Sequence, residues 1–483
     1  MAVTNRTSGT FLYEKVQAQV REMIDSGVIA PGDKAPSLRK MSRLCRVSIA
    51  TVSQAYLQLE QSGLIEAREK SGFFVRRQPA SAPTLPRAVT VRSAARVVRV
   101  SDVVESILES AHRSDVTSLG LANPSTQLLP VNALARAMSR VSARQPLASI
   151  RYSQPLGVTE LRRQIACRSR EFGCRFGPED LVITSGATEG LAIALQVVAK
   201  SGDAVAVESP CYFQVLRLIE SLGLLAVEVP ADPETGLNLD ALDRALEQVP
   251  VKALVCVPNF HNPLGALMPE ENKRKLVQML DQRNVTLIED DVYGDLYFGE
   301  RRPWAAKAFD DFDNVILCSS FSKTLAPGYR IGWMAPGKFA PQVSRLKNAL
   351  SGTTASVTQL TVSEFLATGA YDRTMRTVRR AYARQVEQTR QCIAEHFPKG
   401  TRISQPAGGF VLWVQLPDGC DGDQLFRQSL EEKVSITPGS LFSATRRFGQ
   451  YIRISAGEPW SAQIENGIAT VGGLATSMAE SST

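Results

Sequence analysis

Histidine is scarce in this chain, with three residues in 483, and the eight cysteines at positions 45, 167, 174, 211, 256, 318, 392 and 420 never fall in CxxC spacing. A structural zinc site needs clustered thiolates and imidazoles, and a disulfide framework needs dense, paired cysteines. Neither is expected; the thiols are expected to be buried and inert, and no metal is assigned. No run of eighteen apolar residues occurs, and the longest apolar stretches, such as Gly190 to Ala199, stop well short of a bilayer span. The N-terminus lacks the apolar core of a secretory signal, so the expected location is the cytoplasm, with no membrane partner. Length excludes a single ordinary core and predicts two or three folding units.

Positive charge is present in excess, and it is confined to one end. Residues 1–100 hold 16 Lys+Arg against 7 Asp+Glu, a net of +9, while the remainder holds 39 against 41, a net of −2. A phosphate-binding head on a neutral body has this asymmetry.

Within that basic segment, Leu12, Val16, Val20 and Met23 recur at helical spacing. Ser37 is an N-cap for a short helix with Leu38, Met41 and Leu44 on its core face, and Ser48 caps a helix whose Val52, Ala55, Tyr56 and Leu59 form the next apolar stripe. Residues 64–67 and 73–75 read as strands around a basic turn that includes Lys70 and Gly72. Two short helices and a hairpin with a basic tip make a winged helix-turn-helix, a partner for double-stranded DNA. The outward residues at the start of the second helix are Ile49, Ala50, Thr51, Ser53 and Gln54; of these Gln54 has the bidentate amide suited to a base edge. Arg39, Lys40 and Arg43 on the preceding helix and Lys70 on the wing suit the duplex backbone, with Ser37 and Gly72 beside them.

The run from Gly32 through Pro36-Ser37-Leu38-Arg39 and Thr51-Val52-Ser53-Gln54 to Gly72-Phe73-Phe74-Val75 resembles the GntR family of bacterial transcription regulators, across about residues 9–77. That family usually keeps Arg where Ile49 stands here. An isoleucine cannot bond a phosphate or a guanine at that position, although its apolar side chain suits a thymine methyl.

After this head, assigned to residues 1–78, the pattern breaks down. Pro79, Pro83 and Pro86 and then Arg87, Arg92, Arg96 and Arg99 read as a linker over residues 79–115, with a short helix expected near Val103 to Leu108. From Val116 to the end, apolar strands alternate with helical stretches, the α/β pattern of a mostly parallel sheet. The expected strands are 181–184, 204–207, 253–257, 286–289 and 315–319.

Five motifs fall at or just after strand ends, where open α/β sheets place ligands. Ser185-Gly186-Ala187-Thr188 opens a helix and offers backbone N–H groups to a phosphate. Tyr212 places a ring that can stack on a planar cofactor, and Asn262 an amide in a turn. Asp290 and Tyr293 end a buried strand; a carboxylate there is costly unless paired, for example with a protonated pyridine. Finally, Ser320, Ser322 and Lys323 precede Arg330 by a few residues, supplying an amine for a Schiff base and charge for a phosphate.

Together these motifs match the fold-type I aminotransferases, an α/β fold with large and small subdomains, over about residues 116–475. The resemblance implies pyridoxal phosphate as cofactor, carried as an aldimine on Lys323. It pairs Asp290 with the pyridine nitrogen, sets Asn262 and Tyr293 on the ring hydroxyl and stacks Tyr212 on the ring. The phosphate falls to Ser185, Gly186, Ala187, Thr188, Ser320, Ser322 and Arg330. Tyr152 matches a tyrosine that reaches the partner subunit's phosphate, which implies a homodimer. Arg453 matches the arginine that clasps an amino acid carboxylate, and Asn123 is assigned with it to the substrate. Lys323, Asp290 and Tyr293 form the catalytic set.

Head and body in this order resemble the MocR-type branch of the GntR family. The first functional reading is a regulator that senses pyridoxal phosphate, an amino-acid-like amine, or both. The second is a working aminotransferase with an accessory DNA-binding head. A scaffold that binds neither leaves Lys323 and Asp290 unexplained.

Overall fold

A computed structural model describes residues 12–61, 63–68, 71–76, 83–91, 93–100, 105 and 115–481. The chain divides into two compact units, Met1–Ala82 with Glu387–Glu395, and Pro83–Val386 with His396–Thr483.

In the head, α1 (Leu12–Asp25), α2 (Leu38–Cys45) and α3 (Ile49–Gln61) precede the antiparallel pair β1 (Ile65–Arg68) and β2 (Gly72–Val75). Their apolar stripes close one core: Val16 and Val20, Met41, and Val52, Ala55, Tyr56 and Leu59 are fully buried. Tyr56 ties the parts together, donating its hydroxyl to the Pro36 carbonyl at 2.7 Å and meeting Phe73 edge-on at 5.1 Å. The core face of α2 differs from expectation. Leu44 is exposed, and Cys45 packs inward with Leu38 and Met41. The stripe on this two-turn helix runs i, i+3, i+7, and Leu44 falls outside it.

The body is built on a nine-stranded sheet. Eight strands are β3 (Ala95–Val97), β4 (Val182–Thr184), β5 (Ala204–Ser209), β6 (Leu225–Asp232), β7 (Val251–Cys256), β8 (Thr286–Asp290), β9 (Val315–Ser320) and β10 (Gly332–Ala335), in spatial order β3-β6-β5-β7-β8-β9-β10-β4. Gly236–Leu237 pairs with β6 as the ninth. The five strands from β6 to β9 are parallel, while β3, β10 and β4 run antiparallel to their neighbours. Both faces are covered, so alternate residues enter different cores: Val205 and Val207 one, Ala204 and Ala206 the other. This double burial explains the near-continuous apolar strands.

The expected linker is partly structured. Residues 95–97 form the edge strand β3, and Val98 and Val100 are buried in the core. The backbone N–H of Ile403 also donates to the Thr84 carbonyl at 2.8 Å. The described residues 83–91 and 93–100 therefore belong to the body rather than to a free tether. The helix expected near 103–108 and the head boundary at 78 lie outside the described residues, apart from Glu105.

A second sheet, in the order β11-β12-β14-β13, forms the small subdomain from β11 (Arg402–Ile403), β12 (Val411–Gln415), β13 (Thr437–Pro438) and β14 (Tyr451–Ser455). Segment 117–119 is strapped to it. Thr117–Ser118 pairs with Val434–Ser435, and the Leu119 carbonyl accepts from the Ser455 N–H at 2.8 Å. All eight cysteines are free thiols; six are buried, while Cys167 is exposed and Cys45 half-buried, against the expectation that all are buried. No helix among the described residues is long and apolar enough to cross a membrane, and none of their His, Cys, Asp and Glu residues cluster as metal ligands.

Candidate cofactor site and nucleic-acid interface

The carboxyl ends of the parallel strands deliver the site. Asp290 is the last residue of β8, and Lys323 lies three residues beyond β9, which pairs Cys318 with Asp290. They line a cleft of about 140 Å³ with Ala187, Thr188, Tyr212, Asn262, Tyr293, Ser320, Ser322 and Arg330. Ten expected cofactor residues thus converge. Leu191, Val257 and Val292 also line the cleft and were missed, since an apolar liner has no sequence signature apart from core.

The Lys323 ammonium donates to the Ala122 carbonyl at 2.7 Å. Burial lowers its pKa to about 8, helped by Arg453 and Arg330 and opposed by Asp290. Burial raises Asp290 to about 7, and the like charge of Asp291 adds to it; the Val292 N–H and Lys323 pull the other way. Asp290 Oδ1, the Tyr293 hydroxyl and Ser322 Oγ are buried with no hydrogen-bond partner among the described residues. Such atoms are costly unless a ligand meets them.

At the start of helix α4 (Ala187–Val198), the Ser185 peptide is held from both sides. Its N–H donates to Glu189 Oε2 at 2.6 Å and its carbonyl accepts from Arg330 at 3.1 Å. Ser185 lies outside the cleft lining and its backbone is already engaged; with Ala187 and Thr188, which line the cleft, it forms a cradle at the start of α4. Gly186 has φ +82°, and a Cβ there would lie 2.4 Å from the Arg330 guanidinium. A side chain there would be strained at this φ and would push that arginine aside.

Arg453, on the central strand β14, is 1 % exposed. Its guanidinium donates to Asn262 Oδ1 at 3.0 Å, the Gly120 carbonyl at 2.5 Å and Thr437 Oγ1 at 3.2 Å, while Nε has no partner among the described residues. It has no carboxylate partner among them either, and burial lowers its pKa. Asn262, expected at a ring hydroxyl, thus also orients Arg453. Asn123 is exposed, and the carbonyls of Gly120 and Ala122, just before it in the chain, engage the two cations. Tyr152 is 94 % exposed and outside the cleft.

In the head, Ser37 caps α2 by accepting from the Lys40 N–H at 3.3 Å, and Arg39, Lys40 and Arg43 are exposed. Ser48 Oγ caps α3 through the Thr51 N–H at 3.1 Å. Ile49 (48 % exposed), Ala50 and Gln54 point outward, and Ser53 is half-buried. Thr51 Oγ1 lies 2.8 Å from Ser48 Oγ, so its hydroxyl serves the cap. Gly72 (φ +98°) opens β2 and is exposed; Lys70 lies outside the described residues. Arg46, exposed in a left-handed turn between the two helices, was missed because its placement depends on that turn.

This fold and this cleft define a winged helix-turn-helix joined to an aminotransferase-type body. Residues 114–471 match "Aminotransferase class I and II" and residues 12–75 match "Bacterial regulatory proteins, gntR family". The chain is 38 % identical to the HTH-type transcriptional regulator YdcR of Escherichia coli (strain K12), over 96 % of this chain and 98 % of that one. The chain belongs to the gntR family of bacterial regulators, in its MocR-type branch. Two solved structures are similar to the body. One is LysN, an alpha-aminoadipate aminotransferase from Thermus thermophilus complexed with N-(5'-phosphopyridoxyl)-L-leucine (TM-score 0.72, 29 % identity, 78 % of this chain and 95 % of that chain). The other is a Pyrococcus horikoshii kynurenine aminotransferase with PMP (TM-score 0.74, 26 % identity, 79 % and 95 %).

Proposed function

We propose that this chain is a transcription regulator that binds double-stranded DNA through its head and holds pyridoxal phosphate in its body, where it senses pyridoxal phosphate, an amino-acid-like amine, or both. The observation that carries this reading is the convergence of Lys323, Asp290, Tyr293, Asn262 and Arg330 on one cleft, in a chain with a helix-turn-helix. The buried, unpartnered atoms suit the cofactor. Asp290 would face a protonated pyridine nitrogen; Tyr293 and Asn262 would hold the ring hydroxyl, with Tyr212 on the ring. Ala187, Thr188, Ser320, Ser322 and Arg330 would hold the phosphate.

When bound, pyridoxal phosphate supplies an aldehyde that reacts with amines and a ring that withdraws electrons. The chain's own groups do the rest. Lys323 would offer an amine that loses its proton near pH 8, Asp290 would keep a proton on the ring nitrogen, and Arg453 would take the effector's carboxylate. Where Nζ is not itself bonded to the cofactor, it would be the group placed to move a proton. Borohydride reduction followed by peptide mass spectrometry tests the assignment: the label is expected on Lys323, and a label elsewhere counts against it.

A pKa near 8 also predicts a pH profile. The rate at which the cofactor-free protein captures the aldehyde should rise about tenfold per pH unit below pH 8 and level above it, following the free-amine fraction. Because Arg453 helps to lower this pKa, Arg453→Met should move the plateau to higher pH in stopped-flow absorbance.

The exposed side chains of Leu147, Ile150 and Tyr152, at 60, 82 and 94 %, support a homodimer in which Tyr152 reaches the second copy's phosphate. The cytoplasm is the compartment where such a regulator meets DNA. On the head, Gln54→Ala should change base preference by about 1–3 kcal/mol at one position while leaving affinity for random DNA intact, as measured by binding to a library of sites.

The second reading is a working aminotransferase. It is favoured by a Lys323 amine of lowered pKa together with an Arg453 free of any carboxylate among the described residues. Steady turnover with an amino acid panel at about 10 s⁻¹, typical of metabolic enzymes, would select it.

A further inference from the structure

Glu189 occupies the first turn of α4 and accepts the Ser185 N–H, so it fixes the peptide that shapes the cradle. A carboxylate at this place has a cost. Although burial pushes its pKa up, hydrogen bonds from Ser351, Ser185 and Lys347 outweigh burial and hold it below the ordinary value, so it is ionised at neutral pH. An incoming phosphate would meet a like charge on its own cradle.

Lys347 removes that conflict. It lies on the inner face of helix α5 (Ala340–Ser351), is 1 % exposed, and donates from Nζ to Glu189 Oε2 and to Ser351 Oγ, each at 3.1 Å. Helix packing alone does not require an ammonium here. Leucine or methionine fills such a position without desolvating a charge.

We infer that Lys347 is a positioning and charge-balancing residue for anion binding: it neutralises Glu189 so that the carboxylate can hold the Ser185 peptide without repelling a phosphate. The inference rests on the reading of residues 185–188 and Arg330 as a phosphate cradle. It assigns a role to a residue 158 positions away in sequence that does not line the cleft.

The test uses the full-length, cofactor-free protein, with pyridoxal phosphate binding followed by absorbance and inorganic phosphate as competitor. Lys347→Met is expected to raise Kd for both at least tenfold, because Glu189 is left unbalanced. In the Glu189→Gln background, adding Lys347→Met is expected to change neither Kd by more than about threefold, because no charge remains to balance. A purely structural lysine would weaken binding in both backgrounds, and this result would overturn the inference. Equal binding by wild type and Lys347→Met would overturn it as well. Should Lys347→Met fail to fold by near-UV circular dichroism, the comparison of Lys347→Arg with wild type decides: retained affinity supports charge balance, and a tenfold loss with the fold intact contradicts it. A wild type in which phosphate does not compete with pyridoxal phosphate sinks the cradle reading itself, a result distinct from all the others.

Discussion

Lys323→Ala is expected to abolish the yellow absorbance of the protein in pyridoxal phosphate and to weaken cofactor retention by at least about 100-fold. The covalent attachment has no substitute, since no other lysine lines the cleft. Asp290, Tyr293 and Arg330 would still meet the cofactor, so residual non-covalent binding should survive and dialyse away quickly. The same variant should be more stable than the wild type without cofactor. The wild-type lysine is lowered to about 8 in the fold, against about 10.4 in an unfolded chain, so its burial cost is fully present below pH 8. That cost shrinks as pH rises from 8 to 10.4, by on the order of 1.4 kcal/mol per pH unit. Thermal melts should therefore show the Ala variant ahead at pH 7 and the two converging by about pH 10.5. Retention of the visible band in Lys323→Ala would overturn the cofactor assignment.

The second large effect concerns DNA. Replacing Arg39, Lys40 and Arg43 together by alanine should weaken binding to all duplexes, specific or not. The slope of log K against log salt should flatten by about one for each phosphate no longer neutralised. These side chains are exposed and take no part in the head core, so the variant should fold normally. Fluorescence anisotropy across a salt series measures both quantities. Unchanged affinity and slope would mean that another face meets the duplex, with Arg46 the first residue to examine.

Much of this was legible in the chain because the relevant signals are local. Helical spacing at Val52, Ala55, Tyr56 and Leu59 needs no partner to be read, and neither do the caps at Ser37 and Ser48. The strand end bearing Asp290, and the one that Lys323 follows by three residues, were marked by apolar runs that stop at polar residues. What escaped was long-range. Residues 83–100 have the composition of a tether, yet 95–97 pair with strand β6, at 225–227, and composition carries no trace of that pairing. The difference at Leu44 has a similar cause: on a two-turn helix, a shift of one residue decides which side chain meets the core.

The site divides in the same way. Residue types with a chemical need, such as the lysine and the strand-end carboxylate, stand out in sequence. Backbone groups do not, and the carbonyls of Gly120 and Ala122 that hold Arg453 and Lys323 could be found only in three dimensions. Nor was it legible that Arg302 bridges Asp291 and Asp295, on either side of Tyr293, at 2.5 Å to each. A buried arginine between two carboxylates stiffens the turn that follows Asp290.

Occupancy at Lys323 is expected to be read out on DNA. Anisotropy titration of a promoter duplex with the full chain, with and without pyridoxal phosphate, in wild type and Lys323→Ala, measures this directly. A cofactor-dependent change in affinity of at least fivefold (about 1 kcal/mol of coupling) is predicted for the wild type, and none for Lys323→Ala. Identical curves with and without cofactor, in a wild type shown by absorbance to be fully loaded, would contradict it.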